Sequence, residues 1–284
     1  MNRGYIFLVA SLLMAINAFA QRDSTAVEAK RTTLTLAGIY GNNANYYGQT
    51  AEEKLPYILT NAALRLKSGF YFSAGSYKLI NVGGSAISEL DLSAGYEADL
   101  AKNFSTALGY TRSIFAKNSP LLGAANENTL SASFVYDLNL IKTSLNTYYA
   151  FGTQRDLFMS FTASKALNLG SLFSDKDFIS FEPGLELVGG TLHYLEEYIV
   201  RRDRFGNMIP IDPRFNNPRE QNYKITRNVS SFDMISYNMN FLLGYNRNNY
   251  LIETGWQVST LGKNVSENKQ KPRSFFNLSF YYQF

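Results

Sequence analysis

The chain has one histidine, His193, and no cysteine. Disulfides and thiolate metal sites are therefore excluded. His193 stands in the run Leu192-His-Tyr-Leu-Glu-Glu197. Hydrolysis at such a site would need a serine that the imidazole can deprotonate and a third group to orient the ring. No serine lies within a few residues, and Glu196 and Glu197 are the only acids close by. The expectation is a solvated histidine, with no catalytic residue, metal or cofactor.

Two sets of charges carry more information. Glu89, Asp91, Glu97, Asp99, Asp137, Glu182, Glu186 and Glu253 fall on the polar phase of segments in which polar and apolar residues alternate, and Arg65 and Lys67 are the bases on that phase. Acidic walls of this kind attract cations and repel anions if they surround water. The same carboxylates could instead pair with inward-folded arginines and fill a closed interior. The second set lies between Leu192 and Ser231. Arg201, Arg202, Arg204, Arg214 and Arg219, followed by Lys224 and Arg227, are interleaved there with Tyr194, Tyr198, Phe205, Phe215 and Tyr223. A loop of that composition suits anionic phosphates at a surface, through charge-assisted hydrogen bonds, or a lid over a pore.

What must position these groups is a period of two. In the segment from Ile87 to Leu100, Leu90, Leu92, Ala94, Tyr96, Ala98 and Leu100 alternate with Glu89, Asp91, Ser93, Gly95, Glu97 and Asp99. Side chains at that period point to opposite faces of a strand. Thr129–Leu140 repeats the pattern, as does Phe232–Leu243, where Ile235, Tyr237, Met239, Phe241 and Leu243 form the apolar phase. The other segments are 32–40, 57–67, 69–79, 103–115, 143–152, 156–166, 178–191, 249–260 and 274–284, which makes twelve strands. Each has about 9–14 residues, the length that crosses a bilayer at a tilt. Pro183 falls inside one of them and is expected to mark a bulge.

Composition separates this architecture from its rivals. Mean hydropathy is −0.18, yet aromatic residues make up 15% of the chain, with 20 Tyr and 21 Phe. A wall that shows lipid only every second residue combines those two properties. Beyond residue 20 no stretch approaches the 18 apolar residues of a spanning helix. A secreted sandwich would have strands nearer five or six residues. The fold class is all-β, a transmembrane antiparallel up-and-down β-barrel of twelve strands, with ten or fourteen as the alternatives. Connection lengths agree in the main: one side has 41–56, 80–86, 117–128, 153–155, 192–231 and 261–273, the other has those near Ser68, 101–102, 141–142, 167–177 and 244–248, so nearly all the long ones fall on one side. Long loops belong outside the cell and short turns in the periplasm.

The ends of the chain fix the compartment. Arg3, the apolar run Tyr5–Leu13 and Ala18-Phe-Ala20 have the layout of a secretory signal peptide. Residues 1–20 are therefore expected to be removed, 21–31 to form a short periplasmic segment, and 32–284 to form the barrel. At the other end, Phe276, Leu278, Phe280, Tyr282 and Phe284 form one face and Phe275, Asn277, Ser279, Tyr281 and Gln283 the other. This closing strand, ending in Phe284, resembles the last strand of Gram-negative outer-membrane β-barrels. The resemblance implies that Tyr282 and Phe284 form a signal read by the barrel-assembly machinery, and that the partners are outer-membrane lipid and lipopolysaccharide. The short His-x-Ser signature of that class's phospholipases and deacylases is missing. The expected function is a narrow passive channel for small cationic or neutral solutes. The alternative is a closed barrel that binds at the surface or serves structurally. Nucleic acid is not an expected partner, and the oligomeric state is left open.

Overall fold

The structure, a computed structural model, describes residues 31–45, 47–50, 54–80, 87–116, 126–152, 154–202, 208–210, 222–265 and 271–284. Of 193–202, 208–210 and 222–229 it describes the backbone. The expected signal peptide, residues 1–20, and residues 21–30 lie outside the described residues, as do Arg204, Arg214 and Arg219.

Twelve strands form the wall: β1 (Thr33–Gly41), β2 (Tyr57–Arg65), β3 (Phe70–Leu79), β4 (Glu89–Ala101), β5 (Phe104–Phe115), β6 (Asn128–Asp137), β7 (Lys142–Phe151), β8 (Arg155–Ser164), β10 (Asp177–Arg202), β12 (Asn222–Arg247), β13 (Tyr250–Leu261) and β14 (Arg273–Gln283). Each pairs antiparallel with the next, β8 pairs β10, and β14 returns to pair β1. Of two short pieces, β9 (Leu167–Gly170) continues β8 along the same edge of β10 and in the same register, and β11 (Met208–Pro210) pairs the far end of β10. Closure gives every wall strand a neighbour on both sides. That is the condition for β-structure to survive in hydrocarbon, where an unpaired backbone group costs several kcal/mol.

The alternation decides which face is which. Leu92, Leu108, Leu130, Phe161, Leu185, Met239, Trp256 and Leu278 are all exposed and share the outward phase. An apolar surface this continuous far exceeds what a water-soluble monomer shows, so it is the belt that meets lipid. Tyr40, Tyr110, Tyr149 and Tyr237 lie toward one rim of that belt, and Phe70, Tyr96 and Tyr136 toward the other, as interfacial aromatic girdles do. Polar groups on this face find partners in the wall itself. The Trp256 indole N–H donates to the Ser274 hydroxyl at 2.7 Å, and the Thr106 hydroxyl donates to the Ser133 carbonyl at 3.0 Å.

Three expectations change in detail. The segment 192–231 is not loop throughout: β10 runs on to Arg202 and β12 begins at Asn222, and the two stay in register from Leu192↔Ser231 to Arg201↔Asn222. The expected 40-residue loop is largely a two-stranded ribbon rising past the wall. Pro183 does not mark a bulge with β12, since it pairs Phe241 in regular register. Its carbonyl accepts from the Lys165 amide at 3.1 Å, so its N–H edge faces the break between β8 and β9, where few rungs are lost. The bulge lies instead at Val188/Gly189, opposite Ile235. There Ile235 leaves the outward phase and is fully buried inside with Val188 and Phe158.

Candidate functional site

The inward phase forms the site. Glu89, Asp91, Glu97 and Asp99 follow one another down β4, Glu182 and Glu186 lie on β10, and Glu253 lies on β13. All seven sit on that phase. The two other candidates lie at the edge of the wall, Asp137 directly opposite Lys142. Lys67 lies in the β2–β3 turn, exposed. Asp137 stands exposed at the last position of β6, where its carboxylate accepts the Asn139 amide at 2.8 Å. It braces a turn in which Asn139 has φ of 63°.

The wall ties Asp91, Glu182 and Glu186 to neutral partners. The Ser113 hydroxyl donates to Asp91 at 2.5 Å, Ser164 to Glu182 at 2.6 Å, and the Asn238 amide to Glu186 at 3.0 Å. Ser259 extends that last chain by donating to Asn238 at 2.6 Å. Glu97 has a basic partner, Arg65, at 3.4 Å, and both are exposed enough that the pair adds little stability. A cavity of about 320 Å³ opens beside it on β4–β6, between Glu97, Asp99, Ser105, Ala107, Ser133 and Val135. Among the described wall residues of this phase the bases are Arg65, Lys142 and Arg273, fewer than the acids.

Tyrosines form a part of the lumen that polarity alone did not announce. Tyr71 lies flat against the wall across Gly95 and Gly109, where a Cβ on either glycine would overlap its ring or hydroxyl. Tyr57 covers Gly41 in the same way and stacks on Tyr77 at 4.8 Å. Tyr148 packs on the Phe158–Val188–Ile235 cluster. The readable signal was glycine on the polar phase opposite a tyrosine. Asp156 and Asp233 also sit on the inward phase, outside the expected set.

The β1–β2 connection enters the lumen. Tyr47 stacks on Phe158 of β8 with ring centroids 4.6 Å apart. In the wall order β8 is five strands from β1, close to halfway round. Along the way Asn45 donates to Gln257 of β13 at 2.5 Å, and Arg273 of β14 donates to the Gly48 carbonyl at 3.4 Å. Gly48, at φ 86°, sits so close to Ser259 and Ser236 that a side chain would overlap them. Tyr47 has φ of 51°, a left-handed conformation that costs an ordinary residue about 1–2 kcal/mol. The Ser236 hydroxyl beneath is fully buried and has no hydrogen-bond partner among the described residues.

The remaining candidates are placed by backbone. His193 lies across the ladder from Ser230, Glu196 from Arg227 and Glu197 from Thr226, pairings between segments that no local motif reveals. Arg201 and Arg202 are the last residues of β10, opposite Asn222 and Met208. Tyr282 and Phe284 meet edge to face at 4.7 Å, and the Phe284 amide donates to the Leu34 carbonyl at 2.9 Å, so the chain end is stitched into the β1–β14 seam. Among the described residues no group of three or more His, Cys, Asp or Glu could hold a metal ion.

No family model and no curated protein matches the chain. Among solved structures it is similar to the KdgM porin, at 10% identity and a TM-score of 0.47 over 89% of this chain and 99% of that one. It is also similar to the NanC porin, at 8% and 0.41 over 88% and 98%. A third similarity is to LpxR from Salmonella typhimurium, at 9% and 0.45 over 87% and 99%. Overlaps this loose say nothing about ligand or activity.

Proposed function

We propose that this chain is an outer-membrane channel, a narrow porin-like barrel that passes small cationic or neutral solutes passively and catalyses no reaction. The observation that carries the reading is the lumen wall, where Glu89, Asp91, Glu97, Asp99, Glu182, Glu186 and Glu253 outnumber Arg65, Lys142 and Arg273. Fixed carboxylates in a confined, poorly screened space raise the local cation concentration. The exposed apolar belt, the leader-like residues 1–20 and the aromatic closing strand support export through the periplasm and insertion into the outer membrane. Lipopolysaccharide phosphates suit the basic residues of 192–231, and the assembly machinery is the proposed reader of Tyr282 and Phe284.

Single-channel recording of the refolded protein tests this. Cation selectivity is expected at 0.1 M salt and should fade toward 1 M, as the Debye length falls from about 10 Å to about 3 Å. Reversing charge at Glu97 and Glu186 together should move the reversal potential toward anions. A barrel that never conducts would favour the second reading, a closed barrel that binds at the surface. The β10–β12 ribbon beyond the wall is the feature that supports that alternative.

A further inference from the structure

Among the described residues, the β1–β2 connection reaches into the barrel at Tyr47 and Gly48. Its seat combines features of an element held in place rather than built in. A stacked tyrosine anchors it to β8, far round the wall from its own strands. Around Tyr47 it is tied to the wall by side chains, Asn45 to Gln257 and Arg273 to the Gly48 carbonyl. Its backbone is left-handed at both Tyr47 and Gly48. Beneath it the buried Ser236 hydroxyl has no hydrogen-bond partner among the described residues, and water would supply one once the strap lifted. Left-handed tyrosine and an orphaned hydroxyl both raise the energy of the seated state, while the Tyr47–Phe158 stack and the packing on Val188 and Ile235 lower it.

We propose that Asn45, Tyr47 and Gly48 of the β1–β2 connection form the movable constriction of this barrel, latched across the lumen by Tyr47 on Phe158. The inference rests on the channel reading for its consequence, which is control of conductance, but the position of the strap can be tested without it. Strands β1 and β2 hold its ends, so it can leave the seat without opening any wall ladder. The two sides of the latch lie on different elements, which allows each to be removed separately.

Tyr47→Ala and Phe158→Ala should each raise mean single-channel conductance or open occupancy by about threefold or more, the scale of one aromatic contact. Ser236→Ala removes the orphaned hydroxyl and should lower open occupancy by a similar factor. Folding of each variant is checked by the heat-dependent shift of the closed barrel on gels. In parallel, a single thiol introduced as Ser259→Cys, under the strap, should react slowly with a maleimide and several-fold faster when Tyr47→Ala is added. Faster labelling without conductance in any variant would retain the strap and sink the channel reading. Conduction that ignores Tyr47, Phe158 and Ser236, with labelling equally indifferent, would overturn the strap and leave the channel standing. Phe158→Ala bears on wall packing, so if it fails to fold, Tyr47→Ala and the labelling rates decide.

Discussion

At the scale of single residues, the barrel depends on the parity of each position. Leu92 points outward, paired with Arg112 on β5, while Ser93 points inward and shares a hydrogen bond of 2.8 Å with Thr111. An arginine at Leu92 should therefore cost up to about 2 kcal/mol, less than at the bilayer midplane because Arg112 already lies beside it on that face. The same residue at Ser93 loses one hydrogen bond, about 1 kcal/mol, and can extend into water. Denaturant unfolding in lipid vesicles checks this, and equal losses at the two sites would reverse the assignment of the faces. Parity was readable because alternation is a local property: Glu89 through Asp99 could be placed from β4 alone. Ile235 could not, because the extra residue that turns it inward exists only in the pairing of β12 with β10. Tyr47 was equally hidden, since its partner Phe158 is set by a loop path that no periodicity encodes.

At the scale of elements, strand length and strand ends part company. The wall strands were legible from hydropathy because lipid imposes it on every second residue. Above the wall that pressure stops. The ribbon residues Tyr194–Val200, among charged and aromatic neighbours, looked like loop until their partners on β12 were known. The closing strand offers the sharpest test at this scale. In the folded barrel Phe284 is well exposed and contributes one backbone hydrogen bond to Leu34 and one edge contact to Tyr282. Its deletion should thus cost the finished barrel only about 1 kcal/mol. If the residue is also an assembly signal, deletion should cut the amount reaching the outer membrane several-fold, with precursor retained in the periplasm. Unchanged yield on fractionation would reduce Phe284 to that small contact.

For the whole molecule, long connections gather at one end and short turns at the other, which predicts orientation. The natural lack of cysteine makes this simple to check. Lys263 lies exposed in the β13–β14 connection and Lys102 in the two-residue β4–β5 turn. On intact cells a membrane-impermeant maleimide should label Lys263→Cys and spare Lys102→Cys until the outer membrane is opened. The reverse pattern would invert the barrel. Closure has one further consequence, for the order of events in folding. The seam joins Thr35–Gly41 to Asn277–Gln283, so the rungs that complete the ring are also those with the greatest sequence separation in the wall. Hairpins can form early and locally, but ring closure must wait for the last strand and carries the largest entropic cost of any pairing. Until then both edges stay sticky. The vulnerable species is therefore the almost finished one, a curled sheet lacking a single strand, and a catalyst that holds β1 open for β14 would act on the slowest step of the whole process.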